Sequence, residues 1–335
     1  MSQRITAVRR FVQVASFALL LYGAFLFAGP KQTPLPEIVS GTPRTTQYER
    51  ERILWVSGKE SVLHLYLPIL SCRFIANGGM FKACSVHMLS ENLTWMSSLK
   101  MVAPHLAFLA VVSFAFSRAW CGWVCPLGAI MDFMTGVRRR LGIDRKHLSR
   151  PLGRFLENTR HFLLFFSLGL AALIAVPAIS STDLREKLFL FYCQLCPARL
   201  AFPPFGAINP CWYDSTSALT MFMTLLGWVC LGFFLGSFLV PRLWCRVCAV
   251  GALLSYFNRG GLLALNKRAE RCTFCGACER VCPMDIERVY REREKQLVTD
   301  TRCMLCLRCV EECPEEGCLD VRWAGIGITR SKGYG

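Results

Sequence analysis

The sequence lacks the signatures of most enzyme classes. No G-x-G-x-x-G run lies between a predicted strand and a helix, which excludes the common dinucleotide-binding fingerprint. There is no nucleophile–base pattern of the kind that covalent catalysis requires. C-x-x-C-H is also absent, so covalently attached haem is not expected. These absences argue against a stand-alone catalyst.

Acidic residues are scarce. The 23 Asp and Glu are outnumbered by 39 Lys and Arg, which gives a net charge of +16, although only 19% of residues are charged. The chain has neither a basic recognition helix nor an aromatic RNA-binding motif, so no nucleic-acid partner is expected. The basic residues instead gather beside long apolar runs, which predicts membrane topology signals and contact with anionic membrane lipids.

Polar sequence is limited too, since 53% of residues are hydrophobic. Four apolar runs are each about long enough for one membrane span: 11–29, 101–116, 161–179 and 219–240. The first follows a basic head, as in a signal peptide, but its length and the lack of an A-x-A site favour an uncleaved anchor. A further apolar segment, 64–90, is broken by Gly78-Gly79 and suits a re-entrant segment.

Residues 1–261 are therefore predicted to form an all-α membrane domain with about four transmembrane helices and re-entrant or loop cysteine segments. Residues 262–335 would form a second domain. Arginine and lysine are concentrated between the second and third spans, from Arg138 to Arg160. By the positive-inside rule this loop is cytoplasmic, which places the N-terminus and the second domain on the same side. The expected location is the cell inner membrane, with several passes.

Cysteine is abundant, with 19 residues, and in a membrane chain it indicates metal binding before disulfides. Two runs have the spacing C-x2-C-x2-C-x3-C-P, and the second repeats the first at an offset of 31 residues. The first run consists of Cys272, Cys275, Cys278 and Cys282. The second run consists of Cys303, Cys306, Cys309 and Cys313.

This spacing is typical of two [4Fe-4S] clusters, because three cysteines of a run bind one cubane and the fourth reaches the other. One cluster is assigned to Cys272, Cys275, Cys278 and Cys313. The other is assigned to Cys303, Cys306, Cys309 and Cys282. Zinc knuckles and disulfides fit less well, since zinc needs no crossed cysteine followed by proline and disulfides suit small secreted domains. We expect a bacterial-ferredoxin-like α+β domain, with Cys318 as a buried apolar residue.

The other cysteines form a weak internal repeat of span, outer pair, span and inner pair. If the two halves pack face to face, one quartet of thiols would meet at each membrane surface. The inner quartet consists of Cys121, Cys125, Cys245 and Cys248. The outer quartet consists of Cys72, Cys84, Cys193 and Cys196. Four thiolates suffice for a [4Fe-4S] cluster or a structural metal, so one or two additional clusters are expected, with disulfides or simple burial as alternatives.

Three histidines are further candidates. His87, three residues after Cys84, could serve as a ligand. His105 and His161 lie at opposite ends of predicted spans, where histidines can bind haem b or a quinone head group. Isolated histidines of this kind are more often packed or interfacial residues, so haem is not expected.

The chain resembles the NapH/MauN/NosR-type membrane polyferredoxins over roughly residues 100–320. The resemblance rests on W-C-G-W-V-C-P-L-G-A at 120–129, the tandem cluster runs at 272–314, and four spans followed by a cytoplasmic ferredoxin. The second membrane motif departs from the family pattern C-x3-C-P, because between Cys245 and Ala249 it is one residue shorter and lacks the proline.

The resemblance implies an electron-transfer subunit that connects the quinone pool, or a cytoplasmic donor, with a partner redox enzyme. Quinone or quinol and other subunits of a redox complex would be its partners, and catalysis would belong to a neighbouring subunit. Two alternatives stay open. The chain could be an assembly factor that supplies electrons or metal to a metalloenzyme, or it could be a structural anchor subunit of a redox complex.

Overall fold

The computed structural model is mainly helical, with one small antiparallel sheet close to the C-terminus. It describes residues 4–28, 84–94, 96, 99–176, 181, 184, 187–202 and 217–333. The long helices of the described residues are Arg4–Ala28, Leu99–Phe116, Arg150–Ala175 and Ala218–Leu235. Each overlaps one of the four apolar runs that predicted a membrane span.

Two helices among the described residues are long and apolar enough to cross a membrane, Arg150–Ala175 and Ala218–Phe238. Only 33% and 22% of the residues in their most apolar stretches are buried, so most of these residues are partly or fully exposed. The stretch Val102–Phe116 is apolar but shorter. The helix at Arg150 begins eleven residues before the predicted third span, because its first turns are basic and amphipathic rather than uniformly apolar.

The basic stretch predicted as a cytoplasmic loop is largely helical in the structure. Pro126 occupies the first position of the helix Pro126–Arg140, where its missing N–H costs nothing. Three arginines lie in the last turn of this helix, where they interact favourably with its dipole. Gly142 follows with a φ of +68°, a left-handed conformation that ends helices.

The chain divides into two compact units. The first unit comprises Met1–Phe17, Leu106–Leu164 and Phe233–Gly335, so it joins the inner cysteine motifs with the ferredoxin region. The second comprises Ala18–His105 and Phe165–Gly232.

In the first unit, a three-stranded sheet is formed by β1 (Leu263–Lys267), β2 (Leu319–Trp323) and β3 (Ile326–Arg330). The strands are antiparallel in the order β1-β2-β3. Leu265 of β1 lies opposite Val321 of β2, and both side chains are 1% exposed because they enter the apolar core of this region. The short helices of the first unit are Ala119–Trp123, Ala249–Ser255, Ala277–Arg280, Arg288–Arg291 and Arg308–Glu311.

In the second unit, the described short helices are Ser85–Thr94, Phe191–Leu195 and Ala198–Ala201. The first two contact each other. Most of the predicted re-entrant segment 64–90 lies outside the described residues, and its last part opens the helix at Ser85. The side chain of Gln194 donates to the Lys187 and Phe189 carbonyls at 2.9 and 3.0 Å and so fixes the turn that carries Cys193 and Cys196.

Candidate metal centres

The two ferredoxin runs have the same backbone conformation at equivalent positions. Phe274 and Gly276 have φ angles of +54° and +72°, and the residues 31 positions later, Leu305 and Leu307, have +48° and +59°. Leucine rarely adopts this left-handed conformation, so the loop holds it against a steric cost. A loop in which left-handed residues alternate with right-handed ones turns successive backbone N–H groups toward one point, which suits a bound anion.

Each run borders a cavity. The cavity of the second run is lined by Cys303, Cys306 and Cys309 together with Cys282 from the first run. The cavity of the first run is lined by Cys272, Cys275 and Cys278 together with Cys313 from the second run. Cys278 also borders the cavity of the second run, so the two sites adjoin. The structure thus groups the cysteines in the crossed arrangement that the spacing predicts, while their role as cluster ligands stays a prediction.

The protonation of these thiols fits a metal-containing occupant. Hydrogen bonding with Cys318 lowers the pKa of Cys313, whereas burial raises the pKa of Cys278 and Cys282 to about 11 each. Such thiols stay protonated at neutral pH unless a positive charge stabilises the thiolate, and a bound metal supplies that charge. Buried thiols grouped around cavities and loops of inward N–H groups are therefore a suitable donor set for iron–sulfur clusters.

The inner quartet is built from two segments with the same local geometry. Cys121 and Cys245 each lie in a short helical turn, Ala119–Trp123 and Trp244–Arg246. Cys125 and Cys248 each precede a helix as an extended residue, with ψ angles of 120° and 123°. The one-residue difference in spacing lies between the cysteines, so each cysteine has the same place relative to its helix in both pairs.

The structure brings the four inner cysteines together. Repulsion between their thiolates contributes to raising the pKa of Cys125, after the larger effect of burial, with contributions from Cys121, Cys245 and Cys248. Cys121 and Cys245 are 8% and 7% exposed. The guanidinium of Arg242 connects the two segments, because its Nη1 donates to the Cys121 carbonyl at 2.9 Å and lies 4.0 Å from the Cys245 Sγ.

Asp132 anchors Arg242 from the helix that follows Cys125. Its carboxylate accepts two hydrogen bonds from Arg242, at 3.1 and 2.7 Å, and one from Gln13 at 2.9 Å. Arg9 and Arg308 lie 3.7 and 3.6 Å away. Burial alone would raise the pKa of Asp132, but Arg242 and Arg308 hold it below its usual range. The carboxylate therefore stays ionised and ties the N-terminal helix, the inner motif and the ferredoxin region together.

Of the outer quartet, Cys72 lies outside the described residues. Cys84 directly precedes the helix Ser85–Thr94, and Cys193 and Cys196 lie in and just after the helix Phe191–Leu195. Because these helices contact each other, the three thiols belong to one packed region of the second unit. His87 is buried there, with its Nδ1 3.4 Å from the Glu91 carboxylate.

Cys318 is 2% exposed and lies in the apolar core of the ferredoxin region, as predicted. It also borders the cavity of the first run, beside Cys313, which the spacing alone does not indicate. His161 bonds the Tyr256 hydroxyl at 3.0 Å and packs edge-on against its ring, which agrees with a packing role.

Several residues around the inner quartet are not recognisable from the sequence as part of a site. Arg118 and Arg242 are 0% and 1% exposed, although both read as charged ends of apolar runs. A signal was available, because R-x-W-C occurs at 118–121 and again at 242–245. No comparable signal marks Asp132.

Comparison with known proteins gives two family matches. A model described as "4Fe-4S binding domain" matches residues 105–144 and 220–269, and one described as "4Fe-4S dicluster domain" matches 264–314. An uncharacterized protein of Methanocaldococcus jannaschii is 26% identical over 68% of this chain and 81% of its own length. The ferredoxin-type protein NapH of Escherichia coli is 26% identical over 63% of this chain and 64% of its own. The methylamine utilization ferredoxin-type protein MauN of Methylorubrum extorquens is 27% identical over 49% and 47%.

The chain is similar to the NapH/MauN-type ferredoxin proteins, as its motifs predict. The segments matched by the two 4Fe–4S family models contain all twelve cysteines of the inner motifs and the ferredoxin runs. The alignments span less than two thirds of the NapH and MauN proteins. No solved structure matches the chain.

Proposed function

We propose that this protein is a membrane-bound relay of the NapH/MauN type that passes single electrons between the quinone pool, or a cytoplasmic donor, and a partner redox enzyme. The proposal is carried by the direct contact between the inner quartet and the ferredoxin motifs. Relatives named as ferredoxin-type proteins support the electron-transfer role. Other subunits of a redox complex would be its partners.

The contact is made by residues next to the cysteines. Trp123, two residues after Cys121, donates its indole N–H to the Leu305 carbonyl at 2.8 Å. A Cβ on Gly122 would overlap the Met304 carbonyl oxygen, so the two backbones touch. Both partners lie in the loop that joins Cys303 to Cys306. An inner centre and this ferredoxin site would therefore be neighbours.

A second set of bonds fixes the same contact from the other half of the repeat. Asn258 donates its side-chain amide to the Cys303 carbonyl at 2.7 Å and accepts a bond from the Arg118 N–H at 3.1 Å. Arg246, next to Cys245, donates to the Asp285 carboxylate at 2.7 Å. The ferredoxin region is thus fixed to both inner motifs, and a relay would run from the inner quartet to the Cys303 site and then to the Cys272 site.

In this proposal the inner quartet and the two crossed ferredoxin sets each hold a [4Fe-4S] cluster. Such a cluster, when bound, accepts and donates electrons at a potential set by hydrogen bonds, charge and solvent access. The chain's residues supply the thiolates, exclude water through Leu305, Leu307 and Val310, and provide backbone N–H donors such as that of Ile286, which lies 3.5 Å from the Cys282 Sγ. The outer quartet would extend the relay toward the opposite membrane face.

The spacing of the ferredoxin runs favours clusters over zinc, because a zinc site needs no crossed fourth cysteine followed by proline. The cysteines of these runs stand around cavities. Disulfides do not use up the thiols either, because all eight cysteines of the runs are free.

Membrane integration rests on the exposed apolar helices. On the helix Ala218–Leu235, the side chains of Phe222 and Val229 are 58% and 66% exposed, and on Arg150–Ala175 those of Phe162 and Phe165 are 63% and 61% exposed. Rows of exposed large apolar side chains mark surfaces that bind another molecule or lipid. We propose four spans, with the N-terminus, the helix Pro126–Arg140 and the ferredoxin region in the cytoplasm.

Iron and acid-labile sulfide analysis of the purified full chain tests the centres. Three clusters predict about twelve iron atoms per chain, and an outer cluster would raise the count to about sixteen. About eight iron atoms would leave only the ferredoxin pair and would reject an inner centre. Zinc in place of iron would reject the relay altogether.

Rapid mixing tests the relay itself. Reduced quinol or a soluble donor should reduce the clusters at turnover rates in membranes that contain the chain. Slow reduction by every donor, together with copper binding by the outer thiols, would instead support an assembly factor. Reporter fusions after Gly142 and after Gly333 should both report the cytoplasm, and a periplasmic signal at either position would reject the topology.

A further inference from the structure

We propose that Arg118 and Arg242 are paired positioning residues that cross between the two inner motifs and raise the reduction potential of the centre held there. The inference rests on the proposed inner centre and adds to it the residues that set its potential. The two arginines occupy equivalent places, three residues before Cys121 and three before Cys245.

Each arginine reaches the opposite motif. Arg242 donates from Nη1 to the carbonyl of Cys121 at 2.9 Å. Arg118 donates from Nη2 to the carbonyl of Cys245 at 3.5 Å. The first cysteine of each motif is therefore held by the arginine of the other motif, and the pair links segments that are far apart in sequence.

Two equivalent glycines make room for the crossing. A Cβ on Gly128 would overlap the Nη1 of Arg242, and a Cβ on Gly251 would lie 3.0 Å from the Nη2 of Arg118. Both glycines belong to the G-A pairs that close the two cysteine motifs. Any larger side chain at these positions would displace the guanidinium, so the two glycines are needed for the arginines to reach the opposite motif.

The two guanidiniums are buried positive charges next to the thiols. Arg242 is offset by Asp132, but among the described residues no carboxylate forms an ion pair with Arg118, which also donates to the Thr301 carbonyl at 3.0 Å. Its Nε is buried without a hydrogen-bond partner in the same set of residues. A buried, uncompensated guanidinium is unfavourable unless an anion lies nearby.

Four thiolates around a [4Fe-4S] core carry net negative charge, which grows by one on reduction. A fixed positive charge therefore favours the reduced form and raises the potential, as hydrogen bonds and local charge do at such sites. Arg118, which pairs with no carboxylate among the described residues, should contribute more to the potential than Arg242, whose main role is then to hold the two motifs together.

The test uses the purified full chain and compares Arg118→Gln, Arg118→Lys and Gly251→Ala with Gly136→Ala, whose Cβ would meet nothing within 4 Å. Iron content is measured first, and midpoint potentials then follow from redox titration monitored by electron paramagnetic resonance. Arg118→Gln should lower the potential of one centre by at least 59 mV, a tenfold change in its one-electron equilibrium. The other centres should keep theirs. Arg118→Lys should retain most of the potential, Gly251→Ala should shift it partly downward, and Gly136→Ala should not shift it.

Full iron content with unchanged potentials in both Arg118→Gln and Gly251→Ala would overturn the inference. If Arg118→Gln loses about four iron atoms, retention by Arg118→Lys upholds a positioning role for the charge. If Arg118→Gln and Arg118→Lys both lose these iron atoms, the midpoint potential of Gly251→Ala decides, because this variant keeps the arginine. A lowered potential in Gly251→Ala then upholds the inference, and an unchanged potential overturns it. A wild-type chain with only about eight iron atoms would reject the inner centre itself, an outcome that is separate from any variant.

Discussion

The ferredoxin sites and the inner quartet differ in how their cysteines come together. Each ferredoxin site takes three cysteines from one short loop, and that loop fixes their geometry through its own left-handed residues, such as Leu305 and Leu307. The inner quartet takes two cysteines from each of two segments about 120 residues apart. Local conformation orients each pair, and buried side chains next to the pairs, Arg242 and Asp132 among them, connect the two segments.

The difference teaches that the two kinds of site fail in different ways. A local loop keeps its geometry as long as its backbone is intact. A site assembled from distant segments depends on buried polar contacts, each of which is costly to disrupt. Substitutions outside the cysteines should therefore affect the inner quartet more than the ferredoxin sites.

Removing one inner thiol should have the largest effect. Cys245→Ser should abolish the inner centre, because three thiolates from two separate segments are left without a common scaffold. We expect a loss of about four iron atoms per chain, measured together with acid-labile sulfide. The matched control is Cys230→Ser in the helix Ala218–Leu235, which lies outside every proposed ligand set and should retain the full count. Full iron content in Cys245→Ser would remove this cysteine from the site.

Asp132→Asn should destabilise the first unit strongly. The substitution leaves Arg242 buried without its carboxylate, and breaking such a pair costs roughly 3–5 kcal/mol. Chemical unfolding in detergent measures the loss, and Asp144→Asn, at an exposed carboxylate, is the control.

The pH dependence of that effect follows from the sign of the pKa shift. The folded-state pKa of Asp132 lies below the usual value of about 4, so its contribution is fully present above that pH and is lost only as the pH falls through the lowered value. The stability difference between wild type and Asp132→Asn should therefore be equal at pH 6 and pH 8. A difference that shrinks between these values would mean that the carboxylate is not ionised in the folded chain.

A smaller effect is expected where the inner motif touches the ferredoxin loop. Gly122→Ala should force the backbone away from Met304 and cost about 1–3 kcal/mol, as overpacking does. Electron transfer from the inner centre to the ferredoxin pair should slow accordingly in rapid mixing. Gly136→Ala, in an open helical position, should instead stabilise the chain by about 0.5–1 kcal/mol. Equal rates in the two variants would show that the contact is not on the electron path.

Much of this organisation could be predicted from the sequence where the signal is local. The crossed grouping of Cys282 and Cys313 follows from spacing alone, because seven-residue loops leave little freedom. The geometry shared by the two inner pairs follows from the repeated W-C motif. The long apolar helices follow from hydropathy, although the helix Arg150–Ala175 begins earlier than the apolar run because its first turns are basic and amphipathic.

The remaining features of the site depend on contacts between residues far apart in sequence, and such contacts produce no pattern or motif in the sequence. Nothing in the sequence distinguishes Trp123, yet it bonds Leu305 about 180 residues away. Nothing marks Asp132 either, yet it is buried among arginines. Burial of charge is decided by the partners that the fold brings in, and a single sequence does not reveal those partners.

Cys318→Ala should have the smallest effect, and it tests whether the ferredoxin sites use any cysteine beyond the eight of the two runs. Cys318 borders the first cavity beside Cys313, but it lies outside both proposed ligand sets. The substitution removes one buried sulfur from the apolar core and should cost about 1 kcal/mol, with iron content unchanged. Cys313→Ser, five residues earlier, should lose iron under the same conditions. If Cys318→Ala also lost iron, a residue outside the loop would be needed to hold the cluster. The ferredoxin site would then depend on distant residues, as the inner quartet does, and the difference between the two kinds of site would not hold.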